Sequence, residues 1–203
     1  MIKAVLFDYG GVLTEGGKVG GIPETLGALY GIAPDEIRIA DLHEKLIVGA
    51  INETQFFEEL NSRYGKVKKL DVTTFNANNH DFVTPCKPVY SLAARLRGAG
   101  IRTGILSNVY AIAAEQLRSA GLYKDFDPVV LSCEEHLAKP APALYERTLQ
   151  KLGLSGSEAL FIDDQERFMP PKELGIHTIL AVSPQQIVAD VTALIYGKNK
   201  IKV

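Results

Sequence analysis

The chain has 203 residues, 46% of them hydrophobic and 23% charged, proportions of a folded protein able to bury one sizeable core and at most a small insertion. Its 22 basic and 24 acidic residues leave a formal charge of −2 and are spread along the chain, which excludes a basic stripe for nucleic acid or a polybasic membrane patch. The N-terminal apolar run is too short for a signal-peptide core or a membrane span, and Cys86 and Cys133 follow no metal-ligand spacing and are expected as buried thiols; a cytoplasmic protein with a small-molecule partner is the expectation.

Ala4 to Phe7 is a short apolar run bounded by Gly10 and Gly11, so it reads as a buried strand of a parallel sheet with Asp8 at its carboxyl end. Read alone, Asp8 suits a loop cap as well as a site. Thr14 to Ile22 holds four glycines and reads as a hinge. From Pro23 to about Phe82 the pattern is helical, with Pro23 and Pro34 at first-turn positions and Asn52-Glu-Thr-Gln55 resembling a capping box. Phe56, Phe57 and Phe75 are expected in the core of this insertion, and its last helix is expected to start at Asp71-Val-Thr-Thr-Phe75.

Past Thr84 helices and strands alternate. Val89, Leu92, Ala93 and Leu96 give one apolar stripe on a helix from Pro88 to Gly98–Gly100; Ile101 to Leu106 reads as a strand, with Ser107 and Asn108 at its end as an N-cap pair for a helix over 109–119. Val129 to Leu131 is a strand, 132–142 a loop, 142–152 a helix, and Ala159 to Ile162 a strand ending in Asp163-Asp164. His177 to Val182 reads as the last strand and Pro184 to about Ile195 as the final helix. Such alternation predicts an α/β fold, a doubly wound parallel Rossmann-like sheet of residues 1–14 and 84–203, with 15–83 inserted as a small helical cap.

In that fold Asp8, Ser107 with Asn108, Lys139, and Asp163 with Asp164 converge at strand ends. Phosphoryl transfer through a covalent aspartyl intermediate asks for such a set: a carboxylate to attack phosphorus, hydroxyl and amide groups to hold its oxygens, an ammonium to neutralise charge, and carboxylates for Mg²⁺. Without a divalent cation, a carboxylate nucleophile approaching a phosphate dianion beside two more carboxylates would be strongly repelled.

These residues are where the chain resembles the haloacid dehalogenase superfamily. Phe7-Asp8-Tyr-Gly-Gly-Val-Leu13 looks like its first motif, Leu106-Ser107-Asn108 its second, Lys139-Pro-Ala-Pro142 with Tyr145 its third, and Phe161-Ile-Asp163-Asp164 its fourth. The resemblance implies a Mg²⁺-dependent phosphatase acting on a small phosphorylated metabolite such as a sugar phosphate. It makes Asp8 the nucleophile, Ser107 and Asn108 phosphoryl ligands, and Lys139 the group steadying both nucleophile and phosphate. The Mg²⁺ ligands it implies are Asp8, Asp163, Asp164 and the Gly10 backbone carbonyl.

Two departures stand out. Where family phosphatases carry a second Asp as acid/base, this chain has Gly10, which keeps a carbonyl for the metal and removes the proton donor. Loss of a positioned general acid costs roughly 10² to 10⁴ in rate, so good leaving groups are favoured. Where the family has an Asn after the acidic pair, Phe168 precedes Met169-Pro170-Pro171, and a helix starting late, with proline in its first turn, is expected. Carbon–halogen hydrolysis and a catalytically weak phospho-ligand-binding protein are the alternatives; the acidic pair speaks against the first. His43, Tyr64 and His80 are expected as packed or solvated before substrate-contacting, His136 as solvated, and the oligomeric state is open between monomer and homodimer.

Overall fold

All four residues of β1, Ala4–Phe7, are buried, because helices cover both faces of the sheet it centres. The computed structural model describes residues 1–14, 22–65, 69–71, 73 and 84–197, the side chains of 22–25 excepted. Around β1 lie β2 (Arg102–Ser107), β3 (Val129–Leu131), β4 (Ala159–Asp163) and β5 (His177–Leu180), all parallel, in the order β3-β2-β1-β4-β5. Successive β1 side chains point to opposite faces: Val5 and Phe7 join one apolar cluster, Ala4 and Leu6 the other.

The first three helices in sequence, α1 (Ile22–Tyr30), α2 (Ala40–Ile47) and α3 (Glu53–Tyr64), surround an apolar cluster of their own that includes Leu26, Leu42, Leu46, Phe56, Phe57 and Leu60. The capping box opening α3 is complete: Asn52 Oδ1 accepts from the Gln55 backbone at 2.9 Å and Gln55 Oε1 accepts from the Asn52 backbone at 3.0 Å. Chain exit and return lie side by side, with Thr14 bridged to Pro85 and Cys86 N–H donating to the Leu13 carbonyl at 2.8 Å.

Among the described residues, the longer helices that follow are α4 (Lys87–Gly98), α5 (Ala111–Ser119), α6 (Pro142–Leu152) and α7 (Pro184–Tyr196). The predicted stripe of α4 is buried on the face it shares with Val5, Phe7, Leu117 and Val191, while Leu144 and Tyr145 of α6 cover the other face. Helices on both sides of a parallel sheet make this the expected doubly wound α/β architecture. Both cysteines are buried thiols.

Several details differ from expectation. Ser107 is the last residue of β2 and α5 begins only at Ala111 with no side-chain cap, so Ser107 and Asn108 are not its N-cap pair. Ser132–Glu135 forms one helical turn inside the expected loop, and β5 stops at Leu180. No α-helix forms between the acidic pair and β5: short 3₁₀ turns at Glu166–Phe168 and Lys172–Leu174 flank Pro170 and Pro171, which have no N–H to continue a helical ladder. The glycine stretch at 15–21, Phe75, His80 and nearly all of the helix expected from Asp71 lie outside the described residues. Among the described residues no helix is long and apolar enough to cross a membrane.

Candidate active site

The strand order turns between β1 and β4, and at such a switch point the carboxyl ends of neighbouring strands open into a crevice. Phe7 pairs with Ile162 and Asp8 N–H donates to the Ile162 carbonyl at 2.8 Å, so Asp8 and Asp163 leave the sheet side by side. Asp8 is 7% exposed and Asp163 0%. Two buried carboxylates at this spacing require a cation. Lys139, 3% exposed, supplies one, its Nζ lying 2.9 Å from Asp8 Oδ1 and 2.6 Å from Asp163 Oδ2. The ammonium also sits 5.2 Å from the Phe161 ring centre and 5.3 Å from that of Phe168.

What aims Lys139 is Asn108. The Asn108 Oδ1 accepts from Lys139 N–H at 2.8 Å and its Nδ2 donates to the Lys139 carbonyl at 3.0 Å. A backbone N–H can only donate and a carbonyl only accept, so this two-bond ring dictates the amide's orientation and uses one of its two amide hydrogens. Ser107, 4% exposed, closes β2 beside it. Tyr145 ties the third motif to the loop after β4, its hydroxyl donating to the Phe168 carbonyl.

Asp8, Asp163 and Asp164 each place one carboxylate oxygen within 4.8 Å of the others. One ammonium cannot balance three carboxylates, and two groups record the deficit. Burial first, then the charge of Asp8, pushes Asp163 up to about 6 from the usual carboxylate value of 3.8. Asp164 is raised as well, by the same two causes in the same order. Gln165 N–H donates to Asp163 Oδ1 at 2.8 Å, whereas Asp164 Oδ1 is buried with no hydrogen-bond partner. An all-oxygen donor set holding an orphaned buried carboxylate oxygen fits a hard divalent cation such as Mg²⁺.

Two glycines shape the floor. Gly11 adopts φ +71°, and a Cβ there would lie 2.6 Å from Asp164 Oδ2. Gly11→Ala should therefore lose about 1 kcal/mol of stability to backbone strain and push Asp164 away from the other carboxylates, seen as a weaker thermal shift on adding Mg²⁺. Gly10, whose carbonyl the resemblance offers to the metal, has φ −67° and ψ 131°, and a Cβ there meets nothing within 4 Å.

Above this floor is a cavity of about 400 Å³ whose wall includes Tyr9, Gly10, Ser107 and Asn108 from the strand ends, His43 and Ile47 from α2, and Phe168 with Arg167 from the loop after β4. His43, expected as a packed or solvated side chain, thus stands on the wall of the site. Tyr64 is turned elsewhere, its hydroxyl accepting from Arg38 N–H at 2.8 Å, and His136 is exposed with Nδ1 3.0 Å from the Val48 carbonyl. The roof is bonded to the floor: Ser132 Oγ donates to the Ile47 carbonyl at 2.5 Å, and the buried Glu53 accepts from Ile112 N–H at 2.7 Å. At Gly49, φ +66°, a Cβ would stand 2.7 Å from the Cys133 carbonyl, so only glycine allows this close approach.

The haloacid dehalogenase-like hydrolase family matches residues 2–167, which span all four strand-end clusters. The chain belongs to that family. This hydrolase is 32% identical over 203 residues (95% of the chain) to acyl-CoA dehydrogenase family member 10 of Mus musculus, of whose length it spans 19%. It is 28% identical to the sesquiterpene phosphatase astK of Aspergillus oryzae, covering 80% of this chain and 81% of that protein. With the glyceraldehyde 3-phosphate phosphatase of Methanopyrus kandleri the identity is 26%, over 81% of this chain and 76% of that one. Among solved structures, a haloacid dehalogenase family enzyme of Bacteroides thetaiotaomicron in complex with magnesium superposes with a TM-score of 0.73 at 26% identity, covering 89% of this chain and 93% of that chain. The hydrolase thus has phosphatases among its relatives and a magnesium complex among its structural neighbours.

Proposed function

We propose that this hydrolase is a Mg²⁺-dependent phosphatase that cleaves a small phosphorylated metabolite through an aspartyl-phosphate on Asp8. The observation that carries the reading is the meeting of Asp8, Asp163 and Asp164 within 4.8 Å around Lys139, with one Asp164 oxygen buried and unpartnered. Asp8, Asp163, Asp164 and the Gly10 carbonyl would hold the metal, which when bound supplies positive charge between the nucleophile and the phosphoryl oxygens. Lys139, 2.9 Å from Asp8 Oδ1, keeps the Asp8 carboxylate aimed. Ser107 and the remaining amide hydrogen of Asn108 bind phosphoryl oxygens, and Asn108 fixes Lys139 as it does so. Residues 15–83 serve as the cap, and a cavity of about 400 Å³ suits a ligand of sugar-phosphate size. The named phosphatase relatives support this substrate class. A metal-independent dehalogenase has no use for the unpartnered Asp164 oxygen, which weighs against that alternative.

The test is phosphate release across a panel of phosphorylated metabolites. Turnover that EDTA abolishes and Mg²⁺ restores is expected; full turnover in EDTA, or chloride release from a 2-haloacid instead, sinks the reading. Gly10→Asp belongs in the same assay. The open space at Gly10 and its ordinary backbone angles admit the side chain, so stability should change by less than about 0.5 kcal/mol. Turnover of substrates with poor leaving groups should rise on the order of 10²-fold. If only this variant turns over, the native chain is a phospho-ligand-binding protein.

A further inference from the structure

We infer that His43, carried by the cap helix α2, acts as the proton donor and acceptor whose place in the first motif is taken by Gly10. The inference rests on the phosphatase reading of the site.

Gly10 has no side chain and open space above it, yet it shares the wall of one cavity with His43. Asp8 immediately precedes two residues of that wall, Tyr9 and Gly10. In-line displacement puts the leaving oxygen on the side of phosphorus away from the nucleophile, and α2 contributes His43 and Ile47 to the cavity that the strand-end residues Gly10, Ser107 and Asn108 also line. Of the titratable groups on the cavity wall, Glu44 and Arg167 are exposed, and Tyr9 is pushed far above its usual range by burial and then by Tyr90. The Tyr110 phenol is intrinsically a weak acid near neutrality. His43 is the half-buried imidazole among them, the side chain type suited to both halves of an acid–base cycle near pH 7.

Position matters as much as chemistry, and α2 is not a loose lid. Ile47 and Val48, at and just past its end, contact Ser132 and His136 of the floor, and Glu53 at the start of α3 holds Ile112. A proton donor on a helix pinned at its end can be held over the phosphoryl site with little loss of order on binding. Burial, then the Arg167 charge, lowers the His43 pKa, while Glu44 raises it. With no phosphoryl group bound, burial and Arg167 outweigh Glu44 and hold the ring toward its neutral form. Arrival of a phosphoryl dianion favours the imidazolium, so the substrate's own charge recruits the proton needed for its departure.

The steps balance. An Asp8 oxygen forms a bond to phosphorus, the bond from phosphorus to the leaving oxygen breaks with its electron pair on that oxygen, and His43 delivers its proton there, leaving as neutral imidazole. Neutral His43 then takes a proton from water as the water oxygen attacks phosphorus and the bond to Asp8 breaks. Asp8 returns as carboxylate, inorganic phosphate is released, and His43 is protonated again.

Two substrates differing in leaving group provide the test, with Mg²⁺ present throughout. His43→Gln should lower kcat/KM on the order of 10²-fold for an alkyl phosphate and less than about tenfold for 4-nitrophenyl phosphate, whose leaving group needs no proton. Gly10→Asp placed in the His43→Gln background should return at least about a tenfold gain on the alkyl phosphate. Equal losses on both substrates, or none, overturn the assignment. A measurement on the native protein guards against a variant that fails to fold: NMR titration of the His43 ring should show its midpoint rising when inorganic phosphate saturates the site, and an unmoved midpoint overturns the assignment. The phosphatase reading fails separately, if native turnover does not depend on Asp8.

Discussion

Asp8→Asn should abolish phosphate release, with a fall in kcat of at least about 10⁴-fold, while leaving the fold intact. An amide of nearly the same shape keeps the packing of the β1 end but cannot attack phosphorus, and it removes one of three carboxylates from a buried cluster. The charge of Asp8 is, after burial, the main reason Asp163 titrates near 6 rather than at its usual value. Its removal therefore lets Asp163 ionise more readily, and in EDTA at pH 7 the variant should unfold at a temperature no lower than the native protein. Dead but stable is the signature that separates a lost nucleophile from a damaged site. Beryllofluoride, which mimics a phosphoryl group on a carboxylate oxygen, should load the native protein with Mg²⁺ and leave the variant unlabelled by ¹⁹F NMR. Turnover within tenfold of native in purified Asp8→Asn would show that the reaction does not pass through this residue.

Features that depend on neighbours along the chain are legible in the sequence itself. The apolar run 4–7 is a strand because both of its faces are covered, the α4 stripe lies where its period puts it, and the Asn52–Gln55 cap closes over three residues of chain. The four polar strand ends can be assigned to one crevice because a doubly wound sheet sends every strand's carboxyl end to the same side. Sequence reasoning misleads where two local signals compete. Ser107 and Asn108 look like a helix cap, but the amide of Asn108 is engaged on the backbone of Lys139, 31 residues away, and α5 starts three residues later. Pro170 and Pro171 suggest the late start of a helix, whereas consecutive residues without N–H donors leave only a single 3₁₀ turn on each side.

Long-range polar contacts give no local signal at all. Glu53 reads as an ordinary acidic residue in the first turn of α3, yet it accepts a bond from Ile112, 59 positions on, and so joins α3 to the start of α5. His43 sits on an amphipathic helix where a histidine is unremarkable; only the packing of α2 against the helical turn Ser132–Glu135 puts it on the wall shared with Gly10. The residue missing from the first motif can be read from the sequence, but a substitute on another element cannot, because its placement depends on how two separately cored layers meet.

Lys139→Met should cost about 3 to 5 kcal/mol of stability at pH 7 in EDTA, the penalty for removing an ammonium that faces two buried carboxylates. The methionine matches the length of the side chain and can pack between Phe161 and Phe168, so the loss would be electrostatic rather than a cavity effect. That origin dictates the pH dependence. In the native protein Asp163 binds its proton at about 6, above its usual 3.8, so between those values the folded state holds more protons than the unfolded one and folding becomes more favourable as pH falls. Without Lys139 the carboxylates lose their stabilising partner and the folded state holds its protons to still higher pH, so the deficit should shrink steadily from pH 7 to pH 5. Mg²⁺ should also recover part of it, since a ligand that binds only the folded state adds about 2.7 kcal/mol at a hundred times its Kd. Denaturant unfolding at pH 5, 6 and 7, with and without Mg²⁺, measures each part. A deficit below about 1 kcal/mol, or one indifferent to both pH and metal, would mean that Lys139 does not hold these carboxylates together, and the charge balance on which the proposed chemistry depends would have to come from another group.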